Sequence, residues 1–204
     1  MHNVRLRFDP TLHADTPRLL LSSDALTLTH TQSGGNYAAF GQLVLSSGRH
    51  AWEVTLGVQD RDPGYCCIGV GDAGCAGACF GVDPKYSSVY TNLTPNTWGD
   101  HVGTPFPELD TAALAEGARF RVVVDMDNRT LSFSLNGGPL HQMVGVSLPA
   151  RVRPWVMFSG DTAGATLRLS SYEQLEAAPP PLPLGSLRFD PTLHADTPRL
   201  LLSS

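Results

Sequence analysis

The chain has 204 residues and a formal net charge of −5, with 14 basic against 19 acidic side chains. Lys85 is the single lysine and the arginines are scattered, which argues against a basic face for nucleic acid. No run approaches the ~20 apolar residues of a membrane span, and Met1 to Arg7 lacks the apolar core of a signal peptide, so a soluble, cytoplasmic chain with one large core is expected.

In chain order, short strands are predicted at Leu26–Thr29, Val54–Leu56, Cys67–Val70, Val122–Val124, Leu131–Leu135 and Thr166–Leu169, separated by Gly, Pro, Asn and Asp. A basic turn, Gly48-Arg49-His50, delivers the chain into Ala51-Trp52-Glu53-Val54. There Trp52 and Val54 face one way and Glu53 the other. His50 is expected to be structural, and Trp52 and Trp155 to be core. Only residues 111–116 (TAALAE) read as helical. In residues 121–140, Asp127-Asn128-Arg129 and Asn136-Gly137 are turn signals that connect three strands of a meander. Many short strands at this length predict an all-β fold, two antiparallel sheets packed as a sandwich.

Residues 1–176 read as this one domain, and residues 177–186 (AAPPPLPLGS) as a proline-rich spacer favouring extended polyproline II. Residues 187–204 then repeat residues 6–23, LRFDPTLHADTPRLLLSS, without a change. Such an identity reads as the start of a second, tandem copy. The repeat could compete for the place of the first copy or support self-association by strand exchange.

Several chemical signals dissolve on inspection. Gly69-Val70-Gly71-Asp72-Ala73-Gly74 matches GxGxxG, but the glycine-broken stretch after it cannot form the helix whose N-terminus would hold a pyrophosphate. Cys66, Cys67, Cys75 and Cys79 crowd one interval, whereas a disulfide framework ties distant segments, so reduced thiols are expected. Adjacent cysteines on a strand point to opposite faces, which makes a four-thiolate zinc site awkward. Asp125 and Asp127 share a strand face, but turn initiation accounts for them better than a glycosidase acid pair. No Gly-x-Ser-x-Gly elbow and no HExxH spacing occurs. No cofactor, no metal and no enzymatic activity is therefore expected.

The order of motifs resembles the SPRY domain, called B30.2 when a PRY segment precedes it. Phe8-Asp9-Pro10 through Ser22 is similar to the PRY "LDP" region, and Gly48 to Val54 to the "WEV" motif. Residues 62–70 are similar to a "GYMGIGV" strand, and Gly81-Val82-Asp83 stands where many members have Gly-Trp-Asp. Residues 124–137 look like the "LDYE...LSFYLNG" hairpin and residues 153–158 like the closing "LYPAVSL" strand. The resemblance implies a bent, concanavalin-like β-sandwich that binds a short peptide or loop of a protein partner, often to select substrates for a ubiquitin ligase or to scaffold a receptor.

Within that resemblance, Tyr90 falls where SOCS-box adaptors of the family carry a Tyr that stacks on the ligand. Asn36 and Tyr37, in the loop opened by Gly34-Gly35, and Gly160 with Asp161 should come from the same end of the sandwich. Gly160-Asp161 replaces the Trp-Gly pair of those adaptors. Tyr65 and Trp98 complete the candidate contacts, since exposed aromatic rings offer large rigid area at low entropic cost. A carbohydrate-binding sandwich and a ligand-free spacer in a tandem array are the alternatives.

Overall fold

From Ala51 to Leu56 buried and half-buried side chains follow the expected pattern, with Trp52, Val54 and Leu56 inside and Glu53 and Thr55 between them at the surface. The same physics, half-buried runs cut by turn residues, generates the other elements. The computed structural model describes residues 5–11, 18–32, 34–57, 66–75, 78–83, 88–93, 104–105, 115–160 and 162–176. Every regular element among them is a strand: β1 Leu19–Leu21, β2 Thr27–His30, β3 Asn36–Phe40, β4 Arg49–Gly57, β5 Cys66–Asp72, β6 Cys79–Asp83, β7 Ser88–Leu93, β8 Thr104–Pro105, β9 Arg119–Asp125, β10 Thr130–Leu135, β11 His141–Gln142, β12 Val152–Ser159 and β13 Thr166–Leu175.

Seven strands form one antiparallel sheet in the order β1-β2-β13-β4-β9-β10-β11, and six form a second in the order β3-β12-β5-β6-β7-β8. Trp52, Val54, Phe120, Val122 and Phe133 of the first sheet and Ile68, Val70, Phe80, Val156 and Phe158 of the second belong to one buried cluster. Each such side chain contributes about 1.5–3 kcal/mol relative to exposure.

A second apolar cluster, Ala38, Phe40, Cys67, Cys79, Trp155 and Met157, is separate from that core. Its members alternate along β3, β5 and β12 with core residues Ala39, Ile68 and Val156. It therefore lies on the outer face of the six-stranded sheet. This double burial explains why residues 36–40 form a strand although the sequence suggested a loop at Asn36 and Tyr37. With Ala38, Ala39 and Phe40 all buried, no polar alternation marks the run.

The Gly-x-Gly pattern also finds its reason in the sheet. Gly69 and Gly71 lie inside β5, not at a helix start. A Cβ on Gly69 would fall into the carbonyl of Phe80 on β6, and one on Gly71 would meet the Phe40 ring at 2.7 Å and Cys79 Sγ at 2.8 Å. Residues 111–114 of the expected helix lie outside the described residues.

The β9-β10-β11 meander forms as expected. Asp125 caps its first turn, accepting from the backbone N–H of Asp127 (3.1 Å) and Asn128 (2.9 Å) and from Asn128 Nδ2 (2.9 Å). Burial raises the Asp125 pKa, but these bonds and nearby Arg49 outweigh it and hold the carboxyl below its usual range. Asp127 accepts from the N–H of Gly48 (2.9 Å), tying the meander to the entry of β4. The two acids are turn caps. Asn136 and Gly137 both take positive φ, 51° and 76°, at the second turn.

The N-terminal segment bridges the two sheets. Phe8 pairs with Gly41 beyond β3, Asp9 N–H donates to Phe40 O (2.8 Å) and Gln42 N–H to Arg7 O (2.8 Å). Ten residues on, β1 closes the edge of the seven-stranded sheet against β2. Leu6, Phe8 and Leu19 are buried in the shared core.

Candidate functional site

Where β3 begins and β12 ends, two glycine turns meet. Gly34 N–H donates to Gly160 O (3.1 Å) and Gly160 N–H to Gly35 O (3.0 Å), while Asn36 pairs with Ser159 across the sheet. Gly34, Gly35 and Gly160 all have positive φ, between 64° and 90°, which lets the backbone turn at this point without side-chain strain. The expectation that these two loops share one end of the sandwich therefore holds for Asn36 and Gly160.

Arg18, just before β1, joins them from the other sheet. Its Nη1 donates to Gly34 O (3.3 Å) and its guanidinium stands 5.0 Å above the Tyr37 ring. Arg18 lay inside the PRY-like stretch but was not singled out from sequence. Its role depends on a contact across 16 residues that no local pattern encodes.

Tyr37 takes a different part from the one expected. It is only 7% exposed and packs in the main core, 5.5 Å from His30, so its ring supports the loop from beneath. The parity of β3 decides this: Ala38 and Phe40 take the outer face, which turns Tyr37 inward and Asn36 outward.

His30 forms the floor of this end. It is fully buried, stacked on Phe158 at 5.5 Å, with Nδ1 hydrogen-bonded to Thr162 Oγ1 at 2.7 Å. Its Nε2 has no hydrogen-bond partner among the described residues. Burial pushes its pKa down; Thr162 opposes this and Arg18 adds to it. The imidazole is thus held neutral beneath the glycine turns.

Tyr90 lies on β7 of the same sheet, opposite Gly81. The paired positions Phe40, Trp155, Gly69, Gly81 and Tyr90 form one row across five strands. The half-buried Tyr90 side chain packs on the outer apolar cluster at the end of that row. Between Trp155 and Tyr90 the row carries only glycines, Gly69 and Gly81, and Cys67 Sγ closes over Gly81, 2.8 Å from where a Cβ would stand. Trp155 is buried as expected, and its Nε1 has no hydrogen-bond partner among the described residues. Tyr65, Trp98 and Asp161 lie outside the described residues.

None of the four cysteines forms a disulfide, as expected of reduced thiols. Burial raises the thiol pKa of Cys66, Cys67 and Cys79 strongly and that of half-buried Cys75 less. Among the described residues no group of three or more His, Cys, Asp and Glu is placed to hold a metal ion. No helix among them is long and apolar enough to cross a membrane.

Two packed antiparallel sheets with a loop-built end define a β-sandwich whose exposed features are turns and edge side chains. The family model for the SPRY domain matches residues 49–171, and the chain belongs to that family, whose members are generally protein–protein interaction modules. Among solved structures it is similar to the SPRY domain of human HERC1, with 20% identity and a TM-score of 0.58 over 80% of this chain and 97% of that one. It is also similar to the TRIM65 PSpry domain, with 15% identity and a TM-score of 0.55 over 82% of this chain and 93% of that one. At these identities the likeness concerns the fold. No curated relative matches the chain.

Proposed function

We propose that the domain is a non-enzymatic receptor for a short extended segment of a protein partner, bound across the outer face of the six-stranded sheet from Asn36 at its loop end to Tyr90. The observation that carries this reading is the joined pair of glycine turns with Arg18 and Asn36 at one side and a half-exposed Tyr on the same sheet at the other. β3 and β7 are four strand spacings apart, roughly 19 Å, and Asn36 lies four residues along β3 from Phe40, which shares the row of Tyr90, adding roughly 13 Å along the strands. About seven residues of extended peptide span the resulting diagonal of roughly 23 Å. Arg18 supplies a fixed positive charge at one end and Tyr90 an aromatic face at the other, the two residue types that most often anchor interfaces.

Within a larger protein, such a receptor would select a substrate for a ubiquitin ligase or scaffold an assembly. Four cysteines that form no disulfide are consistent with an intracellular setting. Peptide-display selection against the full chain tests the reading. A common motif of about seven residues is expected, lost with Tyr90→Ala and weakened with Asn36→Ala and Arg18→Ala while the thermal melt stays cooperative. Enrichment that is indifferent to all three substitutions would remove the site, and enrichment of glycans without peptides would replace the ligand class.

A further inference from the structure

We infer that β11 is the contact through which two molecules of this chain associate, edge to edge about a two-fold axis at Gln142. This contact uses no residue of the candidate peptide surface.

β11 ends the seven-stranded sheet, so among the described residues no strand lies on its far side. Pairing with β10 fixes which backbone groups face that side. His141 stands opposite Phe133 and Met143 N–H donates to Leu131 O (2.9 Å), so residues 141 and 143 turn their backbone groups towards β10. Gln142, between them, turns its N–H and C=O outward. The same register sets side-chain direction. Gln142 lies opposite Ser132 and, with Leu140, Thr130 and Ser132, lines a groove on the outer face of the sheet, while Met143 is buried in the core.

An open edge is a template for another strand, and charged side chains are the common guard against it. The opposite edge of this sheet, β1, is guarded: Arg18 precedes it, and Asp24 follows it, 3.5 Å from Arg168. β11 has no such protection. From Thr130 to Ala150 the chain carries no Asp, Glu, Lys or Arg. Leu140 and Val144, two residues to either side of Gln142, are 44% and 93% exposed. Leu20 on β1 is the remaining large apolar side chain exposed among the described residues.

Self-complementarity favours a second molecule over a foreign strand. Set antiparallel to itself, Gln142 exchanges both backbone hydrogen bonds with Gln142 of the second molecule, with the two Cα atoms about 5.5 Å apart. That register brings Leu140 of each molecule towards Val144 of the other, so the exposed apolar side chains cover one another across the axis. Both Gln142 side chains then stand on one face of the joined sheet. A carboxamide carries donor and acceptor and pairs with its own kind, which two like charges on the axis could not do. The ladder is short, so the association is weak, with a dissociation constant of roughly 10–100 μM. Taken with the peptide reading, the pair would present two receptor surfaces to a partner that carries two segments.

Sedimentation equilibrium of the full chain from about 5 to 500 μM tests the contact. The parent should pass from monomer to dimer mass over that range. Gln142→Pro removes an outward N–H and no bond within the chain, so it should stay monomeric with a melt close to the parent's. Val144→Lys and Leu140→Glu, each burying a charge against an apolar side chain, should weaken the dimer at least about tenfold. The double variant Leu140→Glu/Val144→Lys sets a carboxylate against an ammonium at both ends of the ladder and should recover it. A parent that stays monomeric throughout overturns the inference. A dimer indifferent to Gln142→Pro and Val144→Lys places the contact elsewhere, and a double variant no better than either single one overturns the register. Mass that climbs past the dimer would mean that β11 meets β1 of the next molecule, and the two-fold pairing fails.

Discussion

His30 shows what one residue controls at the loop end. Burial lowers its folded pKa below the ordinary 6.5, so above that value the ring is neutral in both states and costs nothing. As pH falls through 6.5 the unfolded chain takes up a proton that the folded domain refuses, and stability declines until the depressed folded pKa is reached. The melting temperature should thus fall between pH 7 and pH 5, and His30→Gln should flatten the decline in that window. An unchanged slope in the variant would place the acid sensitivity elsewhere. Asp125, whose pKa is also lowered, adds a loss only at lower pH, as its carboxyl protonates below about 3.8.

The glycines of the outer row carry a second residue-scale consequence. A Cβ on Gly81 would stand 2.8 Å from both Cys67 Sγ and Ile68 O, and one of these is backbone that cannot yield without moving β5. Gly81→Ala should cost about 1–3 kcal/mol in urea denaturation, with m unchanged. Thiol reactivity reports on the same region: under native conditions only half-buried Cys75 should be alkylated, with Cys66, Cys67 and Cys79 reacting on unfolding. Mass spectrometry after a timed pulse of iodoacetamide distinguishes the two classes.

At the scale of elements, Arg153 joins the N-terminal segment to β12 and to the chain beyond β5. Replacing it with Leu removes three hydrogen bonds from a charged donor and leaves the carbonyls of Gly41, Gln42 and Ala73 without it. A loss of about 2–3 kcal/mol is expected, and amide exchange should accelerate first at Asp9 and Gln42, whose N–H groups lie at that junction. Uniform acceleration over both sheets would mean that the segment unfolds only with the whole domain.

At the scale of the molecule, the candidate surface is assembled from parts far apart in sequence: Arg18 before β1, Asn36 at the start of β3, Tyr90 on β7 and Gly160 after β12. Pairing of β3 with β12 brings Asn36 beside Gly160, and packing of one sheet on the other brings Arg18 to Gly34 and Tyr37. The peptide proposal therefore predicts a coupling. A destabilising core change such as Phe120→Ala should weaken peptide binding once the melt approaches assay temperature, whereas Tyr90→Ala should abolish binding with little change in the melt. Titration calorimetry alongside melting separates the two.

Much of this was legible in the chain itself. Trp52-Glu53-Val54 announces its two faces through alternation, Asp127-Asn128 and Asn136-Gly137 mark turns through backbone chemistry, and the repeat of residues 6–23 is plain on sight. These signals are local, because side-chain parity and turn preference need only a few neighbouring residues. What remained hidden depended on contacts across the fold. Residues 37–40 are buried on both faces and so carry no alternation; Tyr37 is a support rather than a contact because the pairing of β3 with β12 sets its parity. Arg18 reaches the site only through the packing of one sheet on the other, and the glycines of β5 and β6 answer to backbone and side chains on neighbouring strands. Sequence by itself determined the fold class and the strands of the meander, since those follow from local periodicity, while the tertiary structure alone decided which side chains meet at the loop end, since sheet register and face are properties of pairing between distant segments.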